Sequence, residues 1–224
     1  MEVHYIQRHI LTQLISHPTR RYSQLRPERI EANQFVYHLK QLIGEGFIEK
    51  CQQGYELTTR GRSYADKFDP TSFDVAWDSQ PRNVIFIALH NPGHDAWLLV
   101  RRLKQPAINM FGFIATDVRL GEYIIQTAAA HIANEYKIHC ELAYHLSGSA
   151  TIYRGAQLES YCIFQLLVGE ITVVDIARMH DLEWHATKSL VAPDIIPTTS
   201  PIIKALHKAP SNTSVFLELI SHIR

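Results

Sequence analysis

Three side chains that could bind a metal ion lie close together in residues 121–138, GEYIIQTAAAHIANEYKI. The apolar residues of this stretch predict a helix, on which His131, Asn134 and Glu135 occupy positions i, i+3 and i+4 and share one face. Three carboxylates in such a row would form a divalent-metal site, but this row contains one. The pattern leaves open a catalytic helix, a relic of one, and an ordinary helix with polar residues facing water.

The composition of the whole chain limits the class of protein to which this helix belongs. The 224 residues are 46% hydrophobic and 20% charged, which is typical of a globular protein with one large domain or two modest ones. The sequence contains no apolar run of membrane-spanning length and no signal-peptide pattern. Its three cysteines have no CxxC spacing, so we expect reduced thiols in a cytoplasmic protein. The formal net charge is zero and by itself does not indicate a nucleic-acid partner.

Residues 67–83, KFDPTSFDVAWDSQPRN, separate two halves with different patterns. The segment is rich in Asp, Ser and Pro and has no sustained helical or strand period, which favours a linker. Helical patterns dominate before it and strand patterns dominate after it. We therefore predict two domains of a mixed α+β or α/β chain, at 1–68 and 83–224, joined by a linker at 69–82.

The first half predicts three helices, a hairpin and a further helix. Ser23 is a plausible N-cap of the short second helix. The third helix is expected to bury one apolar face, formed by Phe35, Leu39, Leu42 and Ile43. The strands FIEKC and GYELT flank a turn at 52–54, and Thr58 or Thr59 is expected to cap the helix that follows.

This order, with the wording YHLKQLIGEGFIEK…GYELTTRGR, resembles the winged helix-turn-helix of bacterial ArsR/MarR-like regulators over residues 5–68. The resemblance implies that the third helix recognises double-stranded DNA. The side chains expected to contact bases or phosphates are Asn33, Gln34, Tyr37, His38 and Lys40 on that helix, and Arg60 and Arg62 on the next. The alternatives are a solvated helix face and a winged helix that contacts another protein.

The second half begins with two strands in residues 83–103, joined by the turn NPGHD. His90 and His94 flank this turn, where i, i+4 spacing does not align side chains as it does on a helix. Further strands are predicted in HCELAYHLSG, ATIYRGA and SYCIFQLLVGEI, and a helical stretch containing PIIKAL comes last.

This second series of elements resembles a Nudix domain over residues 82–210, which implies an α/β/α sandwich with a mixed sheet. An ungapped register with Glu122 as the first signature glutamate places Ala130 on the signature arginine and Lys137 on its final glycine. The remaining glutamate positions fall on His131, Asn134 and Glu135. The resemblance therefore implies a vestigial Nudix box in which Glu122 and Glu135 alone keep the acidic chemistry.

The replacements weaken the magnesium site that the resemblance implies, because Mg²⁺ prefers hard oxygen ligands. His131 and Glu135 remain candidate ligands for a softer metal, and no catalytic residue is assigned. We expect that the protein requires no cofactor. A divalent metal would be bound only if some hydrolase activity persists. A phosphate could instead be bound without metal by three basic residues, Arg101, Arg102 and Lys104. Alternatively, these three residues are basic side chains at the end of a strand that contact only solvent.

Together the two resemblances imply a ligand-responsive, DNA-binding transcriptional regulator. Its Nudix-like domain would sense a nucleotide or nucleoside-diphosphate-type metabolite, such as ADP-ribose, and the protein would be a homodimer. The alternative is a Nudix hydrolase that cleaves a nucleoside diphosphate derivative at an atypical metal site. A third interpretation is a Nudix-shaped scaffold or dimerisation domain, because fold does not imply function.

Overall fold

The computed structural model describes residues 4–67, 81–118, 121–172, 181–208 and 215–223. The chain divides into two compact units. The first comprises residues 1–78, 103–108 and 156–160, and the second comprises residues 79–102, 109–155 and 161–224. Most of the expected linker, residues 69–80, lies outside the described residues.

Four helices and a hairpin are the described elements of the first unit. They are α1 (Tyr5–Ile15), α2 (Tyr22–Leu25), α3 (Ala32–Gly44), β1 (Ile48–Cys51), β2 (Gly54–Leu57) and α4 (Thr59–Lys67). Apolar residues at helical spacing on α1, including Ile6, Ile10 and Leu14, are fully buried in one core with Phe35 of α3. Burying each such side chain contributes about 1.5–3 kcal/mol, which explains why short helices persist here.

The buried face of α3 differs from the predicted one at its last position. Ile43 is 40% exposed, whereas Phe35, Leu39 and Leu42 are buried. A helix turns by about 100° per residue, so Ile43 is about 80° away from Phe35 around the axis and falls at the margin of the buried stripe.

The ends of the helices follow from local backbone chemistry. Gly46, with φ +72°, ends α3 in a Schellman motif, in which its N–H donates to Ile43 O at 3.0 Å. Thr58 caps α4, as predicted, by accepting a hydrogen bond from Gly61 N at 3.1 Å. The prediction for α2 was wrong, because its N-cap is Arg21 rather than Ser23.

The described elements of the second unit are a sheet and two helices, together with a 3-10 turn at Thr187–Ser189. In chain order they are β3 (Arg82–Asn91), β4 (Ala96–Arg101), β5 (Phe111–Gly112), β6 (Ile114–Asp117), α5 (Ile124–Tyr136), β7 (Ala143–Arg154), β8 (Gln157–Glu170), β9 (Leu182–Ala186), α6 (Thr199–Lys208) and β10 (Phe216–Ile223). The first residues of β8 belong to the first unit.

The sheet is mixed and is organised around β3. Its strand order is β10-β7-β8-β3-β4-β5, with β6 also paired to β3 and β9 to β4. β3 runs parallel to β8 and antiparallel to β4 and β6. This arrangement confirms the predicted hairpin of β3 and β4 and the mixed α+β class.

Each face of the sheet carries its own apolar core. Val84 and Ala88 of β3 belong to a core that includes Ile202 and Ile203 of α6. Ile85 and Ile87, which alternate with them, belong to a second core with Ala128 and Ile132 of α5. Because β3 is buried on both faces, its sequence is a continuous apolar run rather than an alternation.

Two features of the strands differ from the prediction. The segments HCELAYHLSG and ATIYRGA contribute to one long strand, β7, and a tenth strand, β10, follows α6 and pairs in parallel with β7. In the described part of the chain, no helix is both long and apolar enough to cross a membrane.

Candidate functional site

The exposed face of α3 carries most of the side chains expected to contact DNA. Asn33, Gln34, Tyr37 and Lys40 are all exposed. At about 100° per residue they fall between about 140° and 260° from Phe35, which is the side opposite the buried face. This face therefore presents amide, phenol and ammonium groups to solvent.

Tyr37 on this face is held by a chain of hydrogen bonds that begins in the core. The amide nitrogen of the buried residue Gln7 donates to Gln41 Oε1 at 3.1 Å. Gln41 Nε2 in turn donates to the hydroxyl oxygen of Tyr37 at 3.0 Å. The Tyr37 hydroxyl is thereby fixed in direction, and its O–H group can still donate a hydrogen bond to an external acceptor.

His38 does not belong to this exposed face, contrary to expectation. It is only 7% exposed, and its ring stacks on that of His4 with centroids 4.0 Å apart. Burial, followed by the charge of His4, lowers the pKa of His38, so its neutral form is favoured. The position follows from helix geometry, because His38 is about 60° from Phe35 around the axis.

The two arginines of α4 have different surroundings. Arg60 is exposed, donates to Glu45 O at 2.7 Å and lies over the ring of Phe47 at 4.7 Å. Arg62 is largely buried and donates to the fully buried carboxylate of Glu159. It also donates to Leu57 O at 2.6 Å, so its guanidinium is already engaged inside the first unit.

A polar groove in the first unit was not selected from the sequence. It has a volume of about 340 Å³ and is lined by Thr19, Arg20, Arg21, Gln24, Gln52 and Gln53. The lining carries two guanidinium groups and no carboxylate, so its chemistry suits an anion such as a phosphate. The signal available in the sequence was the pair of arginines shortly before α2 and the two glutamines at the tip of the hairpin.

Backbone contacts fix the shape of this groove. Arg20 exchanges two hydrogen bonds with Tyr55 of β2, at 3.0 and 2.8 Å, which form an isolated β-bridge beside the hairpin. Gly54 makes this approach possible, because a Cβ atom there would lie 2.2 Å from Arg20 O. The Arg20 side chain is oriented as well, since its Nη2 donates to His17 Nε2 at 2.6 Å.

In the second unit, α5 begins later than the sequence suggested. Its first residue is Ile124, so Gly121 and Glu122 precede the helix rather than open it. The carboxylate of Glu122 accepts a hydrogen bond from Thr127 Oγ1 at 3.2 Å. Glu122 therefore bonds to the first turn of α5.

The remaining residues of the predicted vestigial box differ in exposure. His131 is half-buried, with its ring edge-on to Tyr136 at 5.9 Å between centroids, and burial lowers the pKa of His131. Asn134 and Glu135 are exposed. A neutral imidazole beside one exposed carboxylate does not fit the oxygen-rich ligand set of Mg²⁺. Among the described residues, no three His, Cys, Asp or Glu side chains form a group that could hold a metal ion.

The end of α5 has a conformation that glycine favours. Lys137, which the predicted register places on the final glycine of the Nudix signature, is left-handed with φ +54°. The N–H of Ile138 donates to Ile132 O at 3.1 Å, which closes the helix. Lys137 Nζ also donates to Asn134 O at 2.8 Å.

The three basic residues expected to bind phosphate are divided between the two units. Arg101 and Arg102 belong to the second unit and Lys104 to the first. The guanidinium of Arg101 lies over the ring of Phe111 at 4.2 Å, and that ring also contacts His185 at 4.6 Å. Arg101 is thus positioned by aromatic contacts at the end of β4.

A hydrogen-bonded cluster anchors the turn between β3 and β4. Thr187 Oγ1 donates to Asp95 Oδ1 at 2.7 Å and accepts from Trp97 Nε1 at 3.0 Å. His90 stacks on Trp97 at 4.4 Å, and its Nε2 lies 3.7 Å from Asp95 Oδ1. The bond from Thr187 is the main cause that lowers the pKa of Asp95, and His90 contributes to the same direction. We interpret this cluster as structural.

Comparisons with known proteins give one family match to part of the chain and several partial matches to solved structures. Residues 4–67 match a family described as "Domain of unknown function (DUF7347)". No curated protein matches the chain. Three solved structures resemble it in part. A Nudix hydrolase from Nitrosomonas europaea is 13% identical, with a TM-score of 0.43 over 68% of this chain and 85% of that one.

The other two are the MutT protein from Bacillus halodurans and NrtR from Shewanella oneidensis. The first is 16% identical with a TM-score of 0.47, over 62% of this chain and 89% of that one. NrtR is 12% identical with a TM-score of 0.47, over 57% of this chain and 62% of that one. Identities of this size with TM-scores below 0.5 assign no function to this chain.

Proposed function

We propose that this chain is a DNA-binding transcriptional regulator whose second unit binds a nucleotide-type metabolite. The observation that carries the proposal is the exposed face of α3, which presents Asn33, Gln34, Tyr37 and Lys40 opposite its buried face. Helices α1 to α3 and the hairpin follow the chain order expected for a winged helix-turn-helix, in which the third helix enters the major groove.

The side chains on this face suit both bases and phosphates. Asn33 and Gln34 can each form two hydrogen bonds with an adenine edge, and Tyr37 presents a directed hydroxyl. Lys40 can contact a phosphate. The groove beside the hairpin tip adds Arg20 and Arg21, which we assign to the backbone of the same DNA.

Arg62 and His38 are left out of this interface. Arg62 is engaged by Glu159, and His38 is buried against His4. Arg60 stays in the proposed interface, because the residue is exposed at the first turn of α4.

DNA binding is tested with the full chain and DNA from upstream of its own gene, by fluorescence anisotropy. We expect the double variant Asn33→Ala, Gln34→Ala to lose at least tenfold in affinity for the specific site and little for random DNA, because base contacts carry the sequence information. Lys204→Gln, at an exposed position of α6, is the matched control and should bind as the wild type does. Absence of binding to any upstream DNA, with or without nucleotides, would overturn the regulator.

Ligand binding by the second unit is supported by the register of α5. The left-handed conformation at Lys137 agrees with the Nudix signature, which places glycine there. A hydrolytic magnesium site needs several carboxylates. Here Glu135 is exposed, His131 is half-buried and Glu122 precedes the helix, so the ligand set lacks that charge. We therefore propose that the unit binds a nucleoside diphosphate derivative without efficient turnover, and that Arg101 contacts its phosphate.

Calorimetric titration with ADP-ribose and nucleoside diphosphates, followed by DNA binding at saturation, tests this step. We expect the ligand to change DNA affinity by about 5–150-fold, which corresponds to a coupling of about 1–3 kcal/mol. Substrate turnover with Mg²⁺, Mn²⁺ or Zn²⁺ that disappears in Glu135→Gln would instead establish the hydrolase. The expectation of a cytoplasmic protein remains a prediction.

A further inference from the structure

β10 presents a long, regular edge of the sheet. It pairs with β7 through eight consecutive residues in one uninterrupted parallel register, without a bulge. In the part of the chain that the structure describes, no strand pairs with its other side. Natural edge strands are commonly protected by proline, charged side chains, bulges or shortness. β10 has no proline, lysine or bulge, and Glu218 is its one carboxylate.

The exposed side chains of β10 lie on one face. Phe216 is 59% exposed and Ile220 is 70% exposed, and Glu218 and His222 alternate with them on the same face. Leu217 and Leu219, on the opposite face, pack against an apolar core of the second unit. An exposed apolar pair next to an open backbone edge is typical of a surface that pairs with another strand.

We propose that β10 pairs antiparallel with β10 of a second copy of this chain, with a two-fold axis at Ile220. In this register Ile220 lies opposite the partner subunit's Ile220, and Glu218 lies opposite the partner subunit's His222. The carboxylate of Glu218 accepts a hydrogen bond from the opposite imidazole, twice in the dimer because of the symmetry.

The pattern of residues favours this register over those with the axis at Glu218 or at His222. A two-fold axis at Glu218 would place two carboxylates directly opposite each other, which is unfavourable. An axis at His222 would leave Ile220 without an apolar partner inside the described strand. With the axis at Ile220, the other face also matches, because Leu217 lies opposite the partner subunit's Ile223. Backbone hydrogen bonds between the two edges would join both sheets into one.

This inference goes beyond the homodimer expected for a regulator, because it names the interface, and it is tested without DNA or ligand. Sedimentation equilibrium of the full chain should give a dimer. Ile220→Lys should weaken the dimer at least tenfold, because it places two ammonium groups opposite each other in the interface. Val191→Lys, at an exposed apolar position outside the strands, is the matched control and should remain dimeric.

A charge exchange tests the register itself. Glu218→Lys places lysine opposite histidine and His222→Glu places two carboxylates opposite each other, so each single change should weaken the dimer. The double variant Glu218→Lys, His222→Glu restores opposite charges at both places and should restore the dimer. Unchanged far-ultraviolet circular dichroism shows that each variant is folded.

Three outcomes would overturn the proposal: a monomeric wild-type chain, an Ile220→Lys variant as dimeric as the wild type, or a double variant no more dimeric than the single ones. Because DNA binding is measured separately, a monomer that binds its operator would refute this interface and leave the proposed function standing. A dimer that binds no DNA would refute the proposed function and leave this interface standing.

Discussion

Arg62 and Glu159 form an ion pair between residues that are 97 positions apart in the chain, with the carboxylate fully buried. Removing one partner of a buried ion pair is more destabilising than removing both, because the remaining charge stays buried and loses this attraction. We expect Arg62→Met to lower the free energy of unfolding by about 3 kcal/mol, measured by urea denaturation. The double variant Arg62→Met, Glu159→Gln should recover a large part of this loss.

Lys50→Met is the control for this pair, because Lys50 is exposed on β1. We expect it to change the free energy of unfolding by less than about 0.5 kcal/mol. If Arg62→Met were as mild as this control, the ion pair would not contribute to stability, and Arg62 would return to the candidate DNA contacts.

Lys137 ends α5 in a left-handed conformation that costs energy for any residue with a Cβ atom. We expect Lys137→Gly to raise the free energy of unfolding by about 0.5–1 kcal/mol, because glycine adopts this conformation without a clash. Lys137→Ala keeps the Cβ atom and loses the bond from Nζ to Asn134 O, so it should give no gain. Equal effects of the two variants in thermal and urea unfolding would contradict this explanation.

Asp95 is stabilised as a carboxylate by Thr187, which keeps its folded-state pKa below the ordinary value. A lowered carboxyl pKa contributes stability above the unfolded pKa, near pH 4, and this contribution is lost as the pH falls through the folded value. We expect Thr187→Val to be less stable than the wild type at pH 7, and the difference to shrink below about pH 4.

Thr187→Ser retains the hydroxyl group and is the control for this effect. Urea denaturation between pH 3 and pH 7 should give it the pH profile of the wild type. A difference between Thr187→Val and the wild type that is constant over this range would show that the Asp95 carboxylate is not involved.

Arg21 lines the groove beside the hairpin tip and is exposed. If it contacts one DNA phosphate, Arg21→Gln should weaken binding about equally for all sequences and reduce the slope of log affinity against log salt by about one. Anisotropy titrations between about 50 and 200 mM salt measure this slope. An unchanged slope, with Lys204→Gln as the charge-matched control, would remove the groove from the interface.

Local chemistry made several features of this fold predictable from the sequence. The apolar stripe of α3 apart from Ile43, the cap at Thr58 and the turn between β3 and β4 each depend on residues near one another in the chain. The continuous apolar run of β3 predicted a strand even though the strands that pair with it were not known. In the candidate interface, the same periodicity placed Asn33, Gln34, Tyr37 and Lys40 on the exposed face of α3.

The tertiary structure decided the features that depend on distant residues. The sequence could not pair Arg62 with Glu159, or place Arg20 beside Gly54, because these contacts are created only when separate segments meet. β10 was not predicted from the sequence, and its place in the sheet depends on pairing with β7, a distant segment. Helix and turn preferences act over a few residues, whereas burial, ion pairing and strand pairing act between segments that only the folded chain brings together.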